Sequence, residues 1–519
     1  MKELTRDSAC NISCRRVTAV WVFFALNLAV YLIRIVSVWR YGTLFSPTAV
    51  ESPMIDSVWR CMNHRPVYQS PFAFPFSLSL YNYLFYATYA GALRLVGAWN
   101  EGILTWGRQL TLLFALAGAV AQWRLVRALL NLCGAANALS LALAVGLWLC
   151  TSLVKYWALS IRPDMAAAAL VMMALWVVVR QPRFCFAYAG LLLYLAWAFK
   201  QSAVLTFAGL CLWLLLNKRW RDLALLAAVF TALVAATLLA GTPEYRFSIL
   251  VAPQMVRGFS FGIAWILHAL GTGLTAVSLN LYWVVAPFVL LRAANRKDTE
   301  QFSGVLSLPG SLRKGWESML LTIFAVALPI GVAGMGKVGG TSNYLFEAFV
   351  AGSTLLQLAV FTVQARLVTA LILFGCVQPA MQLGGAAIGY HHPGKKDMAA
   401  IATAAEYRDA IALRDRLASM KKPIFTTDGP FELPWISTAN GAPALVIDPN
   451  FQEAARSREV NGGIEGMLQR GEIPTVMLAP NDLVYLKSLS PSYKKVGESK
   501  QQGVPYSIYE FNANPATLY

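Results

Sequence analysis

Long runs of apolar residues, separated by short polar segments, dominate the first 384 residues of the chain. Eleven runs predict helices that cross a membrane: Val17–Trp39, Gln109–Trp123, Ala135–Leu153, Met165–Val179, Phe184–Phe199, Ser202–Leu216, Leu223–Ala240, Leu274–Leu291, Met319–Val332, Tyr344–Val363 and Leu367–Met381. Several are shorter than the roughly 20 residues that a full crossing needs, and the fifth and sixth could form one broken span around Lys200. The pattern predicts an all-α polytopic membrane domain over residues 1–384.

One polar interruption, residues 40–108, is too long to be a tight turn between two spans. Four prolines exclude a continuous helix there, namely Pro53, Pro66, Pro71 and Pro75. The pieces Met54–Met62 and Leu80–Val96 keep helical spacing, and we expect them to be amphipathic helices at the membrane surface. Five aromatic residues would then lie at the depth of the lipid headgroups: Trp59, Tyr81, Tyr83, Tyr86 and Tyr89.

The pattern changes from residue 385 onward, where apolar and polar positions alternate over shorter distances. Residues 385–519 predict a small soluble α/β domain. It would contain an amphipathic helix over Ala402–Met420 and strands at Pro423–Asp428, Ala442–Asp448, Thr475–Ala479 and Tyr506–Phe511. No GxGxxG or phosphate-loop pattern opens a helix of this domain, which argues against a nucleotide site in it.

Composition supports the membrane assignment, because 57% of the residues are apolar and 13% are charged. Soluble proteins have about 25% charged residues. The formal charge of +17 reflects cations that flank the apolar runs, so we assign them to orientation and to contact with lipid phosphate rather than to nucleic acid. Lysine and arginine are more frequent on the side of the N-terminus, which predicts a cytoplasmic N-terminus and an external, periplasmic C-terminal domain. The eight cysteines form no CxxC pair and are expected to be free thiols.

Ionisable residues at the predicted outer membrane edge are candidates for function, because they are costly to keep there. Lysine and arginine at this depth suit a phosphate on a lipid, and a carboxylate can act as general base toward a hydroxyl. Structural roles remain as alternatives: Asp164 could cap its span, Lys200 could extend its ammonium group to the membrane surface, and Asp56 could cap a helix or pair with Arg60.

Several short motifs follow one another along the chain. They are Asp56, Arg65-Pro-Val-Tyr68 with Pro71, Tyr81–Tyr86, Arg162-Pro-Asp164, Phe199-Lys-Gln-Ser202 and Gly339–Glu347. In this order and spacing the chain resembles the GT-C glycosyltransferases that use polyprenyl-phosphate sugars. The resemblance is closest to the bacterial branch related to protein O-mannosyltransferases and lipid A aminoarabinose transferases.

The resemblance implies that Asp56 is the catalytic base, and we assign Asp164 a catalytic role as well. Residues expected to bind the donor phosphate or substrate are Arg60, Arg65, Tyr81, Lys155, Arg162, Lys200, Arg246, Lys337, Tyr344 and Glu347. Many relatives carry a second acidic residue beside the first, whereas here the nearest is Glu51, so a divalent metal stays open. The expected reaction is an inverting transfer of a hexose or pentose to a lipid, polysaccharide or protein hydroxyl. It would take place on the periplasmic side of a bacterial inner membrane.

Other functions fit parts of the pattern. A transporter or flippase of lipid-linked sugars would show inverted repeats and midplane breaks in its helices, and the sequence indicates one break, at Lys200. A polymerase or ligase of the O-antigen type would place its large outer segment late in the chain. A catalytically inactive relative would function without Asp56.

Overall fold

The membrane domain is a bundle of long helices with two short helices inserted after the first. A computed structural model describes residues 14–41, 51–70, 79–99, 101–151, 153–255, 263–295, 310–336, 342–363, 366–387, 412, 424–426, 462–480, 482–501 and 504–512. Helices in the membrane domain are α1 (Cys14–Tyr41), α2 (Ser52–Met62), α3 (Tyr83–Leu95), α4 (Glu101–Leu130), α5 (Gly134–Cys150), α6 (Asp164–Arg180), α7 (Cys185–Phe199), α8 (Leu205–Leu216), α9 (Trp220–Ala240), α10 (Pro243–Arg246), α11 (Ala252–Met255), α12 (Ile263–Leu279), α13 (Leu281–Asn295), α14 (Gly310–Met335), α15 (Phe346–Thr362) and α16 (Arg366–Ala387). Short 3-10 helices occupy Lys155–Leu159 and Ser342–Leu345, and a π-helical turn occupies Phe247–Val251.

Helices occupy all eleven apolar runs, with one run divided in two. Within the described residues, six helices are long and apolar enough to cross a membrane, or up to seven if the bent pair α12–α13 counts as one span. That pair replaces the predicted single span Leu274–Leu291 and bends by 78°. At the break, the Asn280 side chain donates to the carbonyl of Ala276 at 2.7 Å and accepts from the Trp283 indole at 3.0 Å. Such local side-chain bonds compete with the helical backbone pattern.

The polar interruption at residues 40–108, called the first outer segment below, contains the two predicted short helices, α2 and α3. Of the five aromatic side chains predicted to lie among lipid headgroups, Trp59, Tyr86 and Tyr89 are buried inside the protein, so the prediction is wrong for these three; Tyr83 is exposed. The Phe85 ring lies 4.9 Å from the Tyr86 ring and 4.8 Å from the Tyr89 ring. The Tyr89 hydroxyl is 2.6 Å from the Thr111 hydroxyl. Because the Tyr89 hydroxyl has a hydrogen-bond partner inside the protein, burying the tyrosine side chain is favourable.

At the centre of the bundle, α15 is almost wholly buried and carries polar side chains. Gln357 donates to the Ser140 hydroxyl at 2.8 Å and accepts from Gln122 at 3.0 Å. The Gln122 carbonyl in turn accepts from Trp148 at 2.6 Å and from Ser353 at 3.1 Å. A connected network of this kind fixes the relative positions of α4, α5 and α15, because each lost bond would leave a buried polar group unpaired.

Close packing of α8 on α14 depends on a glycine. A Cβ atom added at Gly209 would lie 2.7 Å from the Ile323 Cα atom, a backbone atom that cannot move aside alone. We expect Gly209→Ala to lower the free energy of unfolding by about 1–3 kcal/mol. Thermal unfolding of the detergent-solubilised protein measures the effect. Gly91→Ala on α3 is the control, since its Cβ would meet nothing within 4 Å. Equal melting temperatures for the two variants would contradict the prediction.

The C-terminal domain contains a four-stranded sheet with strands β1 (Ile424–Thr426), β2 (Thr475–Leu478), β3 (Tyr493–Gln501) and β4 (Val504–Phe511), and helices α17 (Gly463–Arg470) and α18 (Leu483–Ser488). The strand order is β1-β2-β4-β3, with β1 parallel to β2 and the other pairs antiparallel. β1, β2 and β4 confirm three predicted strands. β3 was missed because it is a charged edge strand with Lys494, Lys495 and Glu498. The predicted strand Ala442–Asp448 lies outside the described residues, as does helix Ala402–Met420 apart from residue 412.

The core of the C-terminal domain extends onto the membrane domain. Phe425 and Val476 of the sheet belong to one apolar cluster with Ala252, and Leu80 and Phe247 pack against this cluster. The soluble domain therefore lies at the same end of the bundle as the first outer segment.

Candidate active site

Asp164, the first residue of α6, lies at the centre of a buried group of charges. Its carboxylate is 2.5 Å from the Lys200 ammonium and 3.3 Å from Arg162 Nε. The Asn343 amide donates to the same carboxylate at 3.0 Å. The predicted capping role is wrong, because Pro163 occupies the N-cap position and Asp164 is already the first residue of the helix. Both of its oxygens are instead occupied by side chains from other segments.

The two cations of this group are held by aromatic rings as well as by Asp164. Arg162 lies 4.5 Å from the Trp157 ring and donates to the Tyr81 hydroxyl at 2.6 Å. Lys200 is 8% exposed, and its ammonium lies 5.7 Å from the Tyr344 ring. The alternative in which Lys200 extends to the membrane surface is therefore wrong. Two cations therefore share the one carboxylate that contacts both of them, and Lys200 also interacts electrostatically with the Glu347 carboxylate.

Glu347, the second residue of α15, has a separate role. Its carboxylate accepts from the backbone N–H groups of Leu205 at 3.1 Å and Thr206 at 2.6 Å. These are the first residues of α8, where the helix dipole favours a negative charge. The expectation that Glu347 faces the bundle interior is confirmed, since the residue is 7% exposed. Its carboxylate ties α15 to α8, while direct contact with substrate stays a prediction.

A second group, on α2, contains Asp56. Arg60 Nε is 2.9 Å from the Asp56 carboxylate, whose side chain is 16% exposed. Among the residues that the structure describes, the buried Arg60 Nη1 has no hydrogen-bond partner. Arg65 is exposed and stacks 4.9 Å from the Trp59 ring. Burial raises the pKa of Asp56, although the positive charges of Arg60 and Arg65 act in the opposite direction. With one ion pair and a raised pKa, Asp56 is a better proton acceptor than Asp164.

The polar segment 79–82 links the two groups. Ser79 and Ser57, the neighbour of Asp56, have hydroxyl oxygens 2.8 Å apart. Two residues further on, Tyr81 accepts the bond from Arg162, and its backbone carbonyl accepts from the Tyr68 hydroxyl at 2.7 Å. Burial raises the pKa of Tyr81 to about 12, so the hydroxyl stays protonated. Among the described residues, no hydrogen bond or ion pair joins Asp56 directly to Asp164.

Three residues predicted to bind the donor or substrate do not belong to these two groups as the structure describes them. Arg246 ends α10 and is exposed. Lys155 begins the 3-10 helix Lys155–Leu159, and the position of its side chain is outside what the structure describes, as is all of Lys337. Sequence reasoning missed Asn343 as a partner of Asp164. The only signal for it was its place in the segment Gly339–Glu347, which the resemblance had already marked.

The buried side chain of Glu51, the acidic residue nearest to Asp56 in the sequence, forms a separate group of contacts. Arg108 Nε and Nη2 donate to it at 3.1 and 2.7 Å, and the Ile161 N–H donates at 2.7 Å. These contacts hold the start of the first outer segment against α4 and against the turn that precedes Arg162. Within the described ranges, no three His, Cys, Asp or Glu side chains converge. Since Glu51 and Asp164 are fully engaged with nitrogen donors, these residues do not fit a divalent cation.

An aromatic cavity of about 460 Å³ lies beside the group of Asp164. Its lining residues are Tyr68, Tyr83, Tyr194, Leu233, Ala236, Thr237, Ala240, Gly241, Thr242 and Tyr245. The Tyr245 hydroxyl donates to the Asn82 side chain at 2.7 Å, and Asn82 follows Tyr81 in the chain. The α9 wall is mostly exposed, with 11% of its span buried. An apolar ligand from the bilayer can therefore reach the neighbourhood of Tyr81 and Arg162.

Solved membrane proteins share this architecture. One is ArnT from Cupriavidus metallidurans bound to undecaprenyl phosphate, with a TM-score of 0.50, 13% identity and coverage of 95% of this chain and 98% of that chain. Another is the Archaeoglobus fulgidus oligosaccharyltransferase in complex with Zn and sulfate, with a TM-score of 0.55, 13% identity and coverage of 94% and 73%. No family model and no curated protein matches the sequence. The predicted GT-C fold is confirmed.

Proposed function

We propose that the chain is a membrane glycosyltransferase that moves a sugar from a polyprenyl-phosphate donor to a hydroxyl of a lipid, polysaccharide or protein. The observation that carries this proposal is a buried group in which two cations, Lys200 and Arg162, share the carboxylate of Asp164, beside an apolar cavity open to lipid. A phosphate ester on a long isoprenoid chain needs both features in one place. The undecaprenyl phosphate bound to the similar ArnT structure supports the same class of ligand.

The donor phosphate would bind Lys200 and Arg162. When the bond between the anomeric carbon and the phosphate oxygen breaks, negative charge grows on the leaving phosphate. Preorganised cations at this position stabilise that charge more in the transition state than in the ground state. Asp164, which is itself held by the Asn343 amide, and the Tyr81 hydroxyl hold the two cations in place, so little reorganisation is needed during the reaction.

Asp56 would act as the general base. It takes the proton of the acceptor hydroxyl as the acceptor oxygen bonds to the anomeric carbon and the polyprenyl phosphate leaves. A single displacement of this kind inverts the anomeric configuration. Arg60 orients the carboxylate through its 2.9 Å contact. We place the site on the periplasmic side of a bacterial inner membrane, which cysteine labelling of intact cells at exposed Arg65 would test.

Transport of a lipid-linked sugar is the second candidate, and the bent pair α12–α13 favours it. Helices broken within the membrane are common at transporter binding sites. Purified protein in liposomes, given a panel of polyprenyl-phosphate sugars, separates the two functions. Release of polyprenyl phosphate with a glycosylated product supports the transferase. Movement of intact labelled donor across the bilayer, without release, would replace it with the transporter.

The aromatic cavity gives a prediction about the donor chain. Ala236 lines the cavity from α9, so Ala236→Trp would fill space that the isoprenoid needs. We expect the KM for a long-chain donor to rise about tenfold, which corresponds to about 1.4 kcal/mol of binding, with kcat nearly unchanged. Initial rates at varied donor concentration measure both constants. Ala235→Trp, at an exposed neighbouring position outside the lining, should leave them unchanged. A similar KM in both variants would place the donor chain elsewhere.

A further inference from the structure

A second cavity, of about 560 Å³, shares none of its described lining residues with the aromatic cavity. It is formed by α12, the end of α14 and the beginning of the 3-10 helix Ser342–Leu345. The lining residues are Leu267, His268, Gly271, Thr272, Thr275, Ala276, Leu279, Asn280, Met335 and Ser342. None of these described lining residues is a lysine, arginine, aspartate or glutamate, which distinguishes this cavity from the cationic group around Asp164.

Polar groups of the cavity form a row along α12. His268, Thr272 and Thr275 are spaced by four and three residues, so they lie on one face of the helix. The Thr272 hydroxyl donates to the carbonyl of His268 at 2.6 Å, and the Thr275 hydroxyl donates to that of Gly271 at 2.8 Å. Because these hydroxyl hydrogens point to the helix backbone, the lone pairs of both oxygens can accept hydrogen bonds from a ligand.

The same helix exposes apolar side chains next to this row. Leu267, Leu270 and Leu274 are 64%, 48% and 64% exposed, as expected for a surface that faces hydrocarbon. The described part of the lining thus combines uncharged hydrogen-bonding groups with an opening toward lipid. Its ligand should have a neutral polar head and an apolar tail.

The cavity ends beside the proposed reacting centre. Ser342 lines it, and the next residue, Asn343, donates to the Asp164 carboxylate at 3.0 Å. The aromatic cavity approaches the same centre through different residues, Asn82 and Tyr81. Two molecules can therefore reach the charged group along separate paths.

We propose that the α12 cavity binds the acceptor, and that the acceptor is a membrane glycolipid whose neutral sugar head contacts His268, Thr272 and Thr275. Sugar hydroxyls both donate and accept hydrogen bonds, as imidazole, hydroxyl and amide side chains do. This inference rests on the proposed glycosyl transfer and specifies its acceptor.

Gly271 provides a clean variant for the test, because a Cβ at this position would meet nothing within 4 Å. Gly271→Trp places a large side chain in the lining of the cavity, from a position where the Cβ atom itself meets no neighbour. Gly384→Trp on α16 is the matched control, since its Cβ would also meet nothing within 4 Å and it lies outside the cavity. Octyl β-glucoside is the acceptor probe, used with protein in lipid nanodiscs. We expect the KM for this probe to rise about tenfold in Gly271→Trp alone, with the donor KM unchanged.

A binding measurement keeps the test independent of turnover. A diazirine-bearing octyl β-glucoside should cross-link to peptides of α12. Unlabelled octyl β-glucoside should compete, whereas an alkyl polyoxyethylene detergent should not, and the cross-link should be lost in Gly271→Trp but kept in Gly384→Trp. Cross-links on other helices, or competition by the sugar-free detergent, would overturn the proposal, as would a wild-type KM in Gly271→Trp. Absence of transfer from every donor would refute the proposed function, and the cross-link would still decide what this cavity binds.

Discussion

Replacing Asp164 by asparagine is expected to reduce sugar transfer by at least about 100-fold and to lower the free energy of unfolding by about 3–5 kcal/mol. The reason is that Lys200 and Arg162 are both buried and both depend on this carboxylate. Without it, neither buried cation keeps the carboxylate that contacts it, although Lys200 still interacts electrostatically with Glu347. Release of polyprenyl phosphate and thermal unfolding of the purified variant measure the two effects.

Asp222→Asn is the matched control, because it removes the carboxylate of an ion pair whose partners are about one-third exposed, Arg219 and Asp222. Pairs of this kind contribute under about 1 kcal/mol, so both activity and stability should stay near those of the wild type. If Asp164→Asn does not fold, the double variant Asp164→Asn with Lys200→Met removes one buried cation and should recover folding but not transfer. Full transfer in the double variant would contradict the assignment of the phosphate site.

Asp56→Asn is expected to slow transfer by about 10²–10⁴-fold while the protein stays folded and the KM for the donor stays unchanged. The variant removes the counter-charge of the buried Arg60 and should lower the stability, but the asparagine amide oxygen can still accept a hydrogen bond from Arg60 Nε, so we expect the fold to be kept. Glu244→Gln, at a half-buried carboxylate on α10, should have no effect on the rate. Equal turnover in wild type and Asp56→Asn would keep the enzyme but assign the base to another group.

The dependence of the rate on pH separates a base from a structural carboxylate. A general base acts only when it is ionised, and burial raises the pKa of Asp56 above its usual range. Transfer should therefore decline as the pH falls through that raised pKa, at a pH where an ordinary aspartate would still be ionised. In the Asp56→Asn variant, the residual transfer rate should no longer fall over this pH range. A wild-type pH profile in the variant would show that another group titrates.

Local patterns predicted the positions of the helices, because apolar runs and prolines act within a few residues. They also marked Asp164 and Lys200 as candidates, but not as partners: the two are 36 residues apart, and their contact depends on how α6, α7 and the following turn pack. The helix break at Asn280 could not be predicted from the sequence, because the apolar run continues on both sides of this residue. Burial of Tyr86 and Tyr89 depends likewise on partners that are distant in sequence.

The contact between the C-terminal domain and the membrane domain has a consequence for biogenesis. Leu80, Phe247 and Ala252 are synthesised long before Phe425 and Val476, which cover them. During translation these apolar side chains remain open to water or to a chaperone. Segment 79–82 gains its outer support only after the soluble domain has folded. A nascent chain is thus expected to insert its helices first and to become competent for catalysis only when the later domain docks.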